Sequence, residues 1–284
     1  MGAVTWGAVT RGRFTARQRG FALLIVLWSM ALLALIGTRI TAAGNGETRL
    51  AINLRTAAVA EAAADGAVYE ALFHFLDSSS NHWPAAGRPR HLRLAQAQAE
   101  VTLADEAAKI TLNNSAVPLL HGLLRGIGLG SGQAEVLAER ISDWRSPAQF
   151  PLKLGAKGPQ YKAAGRDWGP PNQPFRSVDE LGLVLGITPQ ILARLRPYVS
   201  PYIESSPKGN ISNPVIQAAI ADATANGAPM QAFDEPATLT ITAVATSAGG
   251  GRFVRRAVVR LNADVAGNPN EPQFFILDWD QGEG

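Results

Sequence analysis

The sequence predicts an α+β fold: one long amino-terminal helix packed on a small antiparallel sheet, with an all-helical domain inserted into the sheet domain. Three observations lead there. A charge-free apolar run continues into an alanine-rich amphipathic stretch, strand-like segments fall in two blocks far apart in the chain, and the residues between those blocks have helical periodicity. A chain of 284 residues is long enough for a real core. It has no cysteine, so neither a disulfide framework nor a thiolate metal site can form.

The amino-terminal segment carries Arg11, Arg13, Arg17 and Arg19 and no acidic residue before position 21. Without those four arginines the 26 basic side chains fall to 22 against 23 acidic ones, and the formal charge goes from +3 to −1. A body that close to neutrality has no general electrostatic attraction for nucleic acid. After the arginines comes FALLIVLWSMALLALIGT, Phe21–Thr38, eighteen residues without a charge. As a helix this run is about 27 Å long, enough to cross the hydrocarbon of a bilayer. Arginines on its amino-terminal side hold that end in the cytoplasm and place the bulk of the chain outside it.

Three readings of this terminus compete. A secretory signal peptide could be cut near Thr41-Ala42-Ala43, the segment could remain as a plain anchor, or it could be a prepilin leader cut between Gly20 and Phe21. The stretch RQRGFALLIVLW resembles the prepilin pattern. Residues 47–76 favour it as well, because they keep reading as helix, with Leu50, Leu54, Val68, Leu72 and Phe75 at three- and four-residue steps. Arg49, Arg55, Glu61, Asp65 and Glu70 fall largely off that stripe. Residues 21–76 are thus expected to form one helix, apolar and then amphipathic, with Gly37, Gly44 and Gly46 as its weak points.

Residues 78–89 read as a loop, 91–105 as one strand by alternation, and 109–112 as its short partner. Residues 238–246 and 253–261 read as two strands joined by a glycine-rich hairpin at 247–252. Between these blocks, 115–124 and 132–144 are helical by periodicity, the second with Gln133, Glu135, Glu139 and Arg140 toward solvent. Residues 146–172 read as a proline- and glycine-rich loop. Ser177 is placed as a helix N-cap with Glu180 at capping-box distance, and Pro189 in the first turn of the next helix. A last short helix at 213–224 returns to the sheet. The expected division is a leader at 1–20, the helix at 21–76, the sheet domain at 77–112 and 200–284, and the helical insertion at 113–199.

Four stretches, RGFALLIVLW, ITLNNSA, ISDWR and PFRSVDELGLVLGIT, resemble the K-type minor pseudopilins of the bacterial type II secretion system, the general secretion pathway protein K family. The motif residues are Asp143 and Trp144 in the third stretch and Asp179, Glu180, Leu181 and Gly186 in the fourth. Ile25 adds to the likeness, since most pilins and pseudopilins have glutamate five residues after the cut and this subunit type an apolar residue. The resemblance implies a pilin-like fold and a structural role in protein export, not an enzyme. It implies cleavage by the prepilin peptidase, N-methylation at Phe21, and a single inner-membrane span with a periplasmic body. It also implies a place among other minor pseudopilins at the filament tip, contact with the exported protein, and calcium at the inserted region in some members. Here Asp143-Trp144-Arg145 is followed by Ser146-Pro147-Ala148, Lys157 stands where an acid is usual, and no Asp or Glu occurs from 145 to 166. Calcium takes six to eight oxygen ligands, several from carboxylates, so no cofactor is expected.

Other signals are weaker. Residues 181–195 resemble a helix-hairpin-helix unit, the basis of an alternative reading as a minor pilin of a type IV or DNA-uptake pilus. Only Arg176, Arg194 and Arg196 are basic there, against Asp179 and Glu180, which argues against DNA. His74, His82, His91 and His121 lack ligand spacing. GIGLGSG at 126–132 follows a helix rather than a strand, the wrong context for a dinucleotide loop. No nucleophile–base pair accompanies Asp143, which more simply orders the loop after its helix while Trp144 fills core. The tail at 265–284 reads either as an edge strand or as a docking segment for a neighbouring subunit.

Processing is directly testable. The mature chain is expected to begin at a methylated Phe21 and to keep its apolar segment, which intact mass and amino-terminal sequencing will show. A soluble product beginning near Gly44 would establish signal-peptidase cleavage instead.

Overall fold

The computed structural model of the chain describes residues 17–205, 207, 211–228, 235–262 and 272–282, with the backbone alone at 17–20 and 39–46. Most of the expected leader lies outside these residues, as do Glu271 and Glu283 of the tail. The chain divides into two compact units, 1–58 and 59–284.

Helix α1 (Arg17–Leu76) runs through Gly37, Gly44 and Gly46 without interruption. In the first unit the span Phe21–Thr38 has a mean hydropathy of 2.4 and none of it is buried. Leu50 and Leu54, expected on the core stripe, are also exposed. In the second unit the buried face of α1 is Ala60, Ala63, Ala64, Ala67, Val68, Ala71 and Leu72, at steps of three and four residues. Alanine, not leucine, makes the seam.

The sheet runs β1 (Arg90–Leu94), β2 (Ala97–Asp105), β5 (Thr238–Ser247), β6 (Arg252–Leu261), β7 (Phe274–Gln281), every neighbour antiparallel. Residues 91–105 are therefore a hairpin and not one strand, with Leu94 opposite Ala97 across the turn. Ala99, Val101, Ile241, Ala243, Ala245, Ala257 and Val259 cover the α1 seam in one apolar cluster. Arg255 stands on the same face. Its Nε donates to Asp65 Oδ1 at 2.6 Å and its Nη2 to Glu61 Oε1 at 3.1 Å. Its guanidinium also lies 4.8 Å from the Phe253 ring centre and 5.2 Å from that of Trp279. The tail residues 274–281 form an edge strand, with a bulge opposite Val258/Val259.

A second core gathers the remaining helices. β3 (Ile110–Thr111) pairs in parallel with β4 (Val199–Ser200) in a separate two-stranded sheet, so 109–112 is not the partner of 91–105. Into this core pack α2 (Val117–Gly126), α3 (Ser131–Arg145), α4 (Gly158–Ala163), α5 (Pro189–Leu195) and α6 (Pro214–Ala225). Asn213 caps α6 by accepting from Val215 N and Ile216 N, and Thr188 caps α5 through Ile191 N, each with proline as first helical residue. The helical core does not stop at Val199, because Ile216, Ala219 and Ala223 of α6 belong to it. Ser177 caps nothing. Asp179–Leu183 is a 3-10 turn entered from Val178, and Glu180 Oε1 instead accepts the Arg176 N–H at 3.1 Å.

Because the seam is built from the smallest apolar side chain, enlarging it should be costly. Ala64→Leu is expected to destabilise by about 1–3 kcal/mol through overpacking. Ala62→Leu, on the exposed side of the same turn, should be close to neutral. Urea unfolding of the two variants in detergent checks the contrast.

Candidate functional site

Among the expected site residues, two groups stand apart. In the first unit, the Gly20–Phe21 junction falls inside α1, about one turn from its start. Phe21, Leu24, Ile25, Trp28 and Leu32 share one side of the helix at three- and four-residue spacing, and Ile25 is half exposed. Ser29 shares this side, its Oγ donating to Ile25 O at 2.8 Å, and the otherwise apolar strip holds no carboxylate.

The second group surrounds the end of α3. Asp143 is almost fully buried, and its Oδ2 accepts the Leu152 N–H at 3.0 Å. The carboxylate passes so close to Gly155 that a Cβ there would lie 1.8 Å from Oδ2. Burial raises the Asp143 pKa, while the amides of Leu152 and Ala156 and the charge of Lys157 oppose the rise. Lys157 is equally buried, and its Nζ donates to Asp143 O at 2.6 Å, Ser146 O at 2.7 Å and Asn172 Oδ1 at 2.7 Å. Desolvation lowers its pKa and Asp143 pulls the other way. Asn172 has φ 55°, a left-handed conformation to which asparagine is better suited than most, and its N–H donates to Trp144 O.

Trp144 stacks at 6.2 Å on Phe175 and meets Tyr161 at 5.9 Å, so the third and fourth motif stretches touch through their aromatic rings. The second stretch joins them. Asn113 Nδ2 donates to Phe175 O and to Pro201 O, both at 3.0 Å, and its Oδ1 accepts the Phe175 N–H at 2.7 Å. Arg145 donates to the carbonyls of Leu112 and Ser115. Burial brings its pKa down to about 10, which leaves it charged at neutral pH.

Glu139 and Arg140 do not face solvent as expected. Glu139 Oε2 accepts the Leu154 N–H at 2.5 Å, and Arg140 Nη1 donates to Leu185 O at 2.9 Å. Beside Arg140 sits Gly186, with φ 96° and room for no Cβ, since one would lie 2.9 Å from Nη1 and 3.1 Å from Leu137 Cδ2. Leu181 is fully buried, and Asp179 pairs with Arg196 at 2.5 Å. That ion pair engages one of the arginines of the hairpin-like segment.

Residues 146–172 are consequently not an open loop. They contain α4, bury Ala156, Lys157 and Tyr161, and are tied to α3 at several points. Asn113 lay in the ITLNNSA stretch without being singled out, and nothing in the local sequence marks Glu139, Arg140 or Asn172, because their partners are brought in by tertiary folding. Lys157 alone left a sign, as a cation in an acid-free segment just after a helix end.

The divalent cation that the resemblance implies does not suit this place. Three of the nearest oxygens are taken by an ammonium, and among the described residues no three His, Cys, Asp or Glu side chains converge on a metal position. The arrangement is one of shape and rigidity, without a nucleophile and base in reach of each other around Asp143.

Comparison with known proteins agrees with the motif geometry. Residues 93–203 match the family model described as type II secretion system (T2SS), protein K. The type II secretion system protein K of Klebsiella pneumoniae is 28% identical over 218 residues, which take in 69% of this chain and 66% of that protein's length. A chain in the crystal structure of the GspK-GspI-GspJ complex from the enterotoxigenic Escherichia coli type 2 secretion system superimposes with a TM-score of 0.62 at 19% identity. That match covers 84% of this chain and 100% of the other, and it establishes the fold.

The junction of the three motif stretches hangs on Asn113. Asn113→Ala leaves the N–H and carbonyl of Phe175 and the carbonyl of Pro201 without their partner, and should cost about 2–3 kcal/mol. Denaturant unfolding measures the loss, and hydrogen exchange should localise it to residues around 112–115 and 174–176.

Proposed function

We infer that this chain is a type II secretion system protein K, working as a structural minor pseudopilin at the tip of the pseudopilus and helping to start its assembly for protein export. It is cut after Gly20 by the prepilin peptidase and methylated at Phe21. The apolar half of α1 holds it in the inner membrane, with the arginines on the cytoplasmic side and the folded body in the periplasm. Its neighbours are other minor pseudopilins, in keeping with a fold shared with a chain of the GspK-GspI-GspJ complex. The body offers exported proteins a rigid surface.

The observation that carries the tip placement is Ile25. In a bundle of amino-terminal helices, each cleaved amine is a charge in apolar surroundings, expensive unless it is paired. The usual partner is a glutamate five residues into the next subunit, offered to the amine of the subunit already ahead. This chain has isoleucine there, on a strip that holds no carboxylate. It can be served by the subunit that follows, but it has no carboxylate to offer one ahead. It therefore sits first.

Filaments overproduced from the complete system, with a tag on the folded body, test this. Label at one end only is expected; label repeated along the shaft would sink the placement. Ile25→Glu should admit the subunit into the shaft if the missing carboxylate, rather than the bulk of the helical region, is what excludes it.

A further inference from the structure

We propose that the ammonium of Lys157 is this chain's own structural cation, filling the oxygen cage at the end of α3 so that the order of residues 146–172 needs no divalent ion. The inference rests on local geometry and stands whether or not the subunit sits at the tip.

The place calls for positive charge. Asp143 O and Ser146 O are carbonyls at the carboxy-terminal end of a fifteen-residue helix, where the aligned peptide dipoles concentrate negative potential. The buried carboxylate of Asp143 lies close enough for its charge and that of Lys157 to act on each other. Asp143 O lies in the buried part of the site and the other two acceptors at its edge, and a buried acceptor is costly to leave unmatched.

Lysine answers with a matching number. An ammonium has three donors and no acceptor, and here three oxygens take them at 2.6, 2.7 and 2.7 Å. A calcium ion would ask for six to eight oxygens, several of them anionic. Between 145 and 166 the chain supplies no carboxylate, while Lys153, Lys157 and Lys162 make the segment cationic. The residues that could have recruited a divalent ion are absent, and the position is taken by a charge that arrives covalently attached.

The three oxygens also show what the cation joins. Two belong to the end of α3, the third to Asn172, where the segment ends. Lys157 itself begins α4, with its own N–H bonded to Gln160 Oε1 at 3.0 Å. One charged group thus pins the start, middle and end of the segment to each other. The exposed Phe150, Leu152 and Trp168 ride on the segment it fixes.

The test uses the full chain in detergent and follows the rate of proteolytic cleavage within residues 146–172, with millimolar calcium or with a chelator. The wild type should be cleaved equally slowly in both. Lys157→Met, which keeps the length of the stem and removes the charge, should be cleaved roughly tenfold faster or more, since buried acceptors lose their donor. Asn172→Asp serves if that variant fails to fold. Its added carboxylate should pair with the ammonium and leave cleavage slow and indifferent to calcium. A wild type that loses protection under the chelator, a Lys157→Met chain as resistant as wild type, or calcium-dependent protection in Asn172→Asp would each overturn the proposal.

Discussion

The contact between the alanine seam of α1 and the alanine-rich face of the sheet is the constraint on which the second unit depends. Ala64, Ala67 and Ala71 meet a surface built from Ala99, Ala243, Ala245 and Ala257. Small side chains on both sides permit close approach and lose almost no rotamer entropy on burial. Each alanine also removes little apolar area from water, so the contact works through number and fit. Arg255 supplies what such a featureless seam lacks, a polar lock that sets where along the helix the sheet sits. Its two carboxylate partners are one turn apart, and the Phe253 and Trp279 rings flank it.

The helical core follows a different logic. There α3 acts as a post to which neighbouring segments are tied by side chain to backbone bonds. Glu139 and Asp143 hold 152–154, Arg140 holds Leu185, and Arg145 holds 112–115. All four are ionisable side chains, and they tie backbone rather than each other. Hydrogen bonds to charged groups are the stronger kind, and their directionality fixes loops that a hydrophobic core alone would leave free to slide.

Much of this was legible. The length of α1, the β5–β6 hairpin with its glycine run, and the helices around 120, 138 and 192 all follow from periodicity and turn chemistry. The two-residue turn at Ala95–Gln96 escaped because it contains neither glycine nor asparagine. Its only trace is a slip in alternation, from Leu92 and Leu94 inward to Ala97 and Ala99 inward. The pairing of Ile110 with Val199 is non-local and carries no mark in either segment. Leu50 and Leu54 have the right spacing for a core stripe, but spacing does not say where a helix meets its sheet. Asp143 and Trp144 showed their importance without their partners, while Asn113, whose three bonds reach Phe175 and Pro201, lay in the ITLNNSA stretch without being singled out from it.

The buried ammonium of Lys157 has one further consequence. Stabilisation by a dissociable ion grows with its free concentration and vanishes on dilution. A cation tethered by four methylenes has no off-rate, and no chelator can remove it. Residues 146–172 can then become ordered as soon as the chain folds, with no separate loading step to wait for.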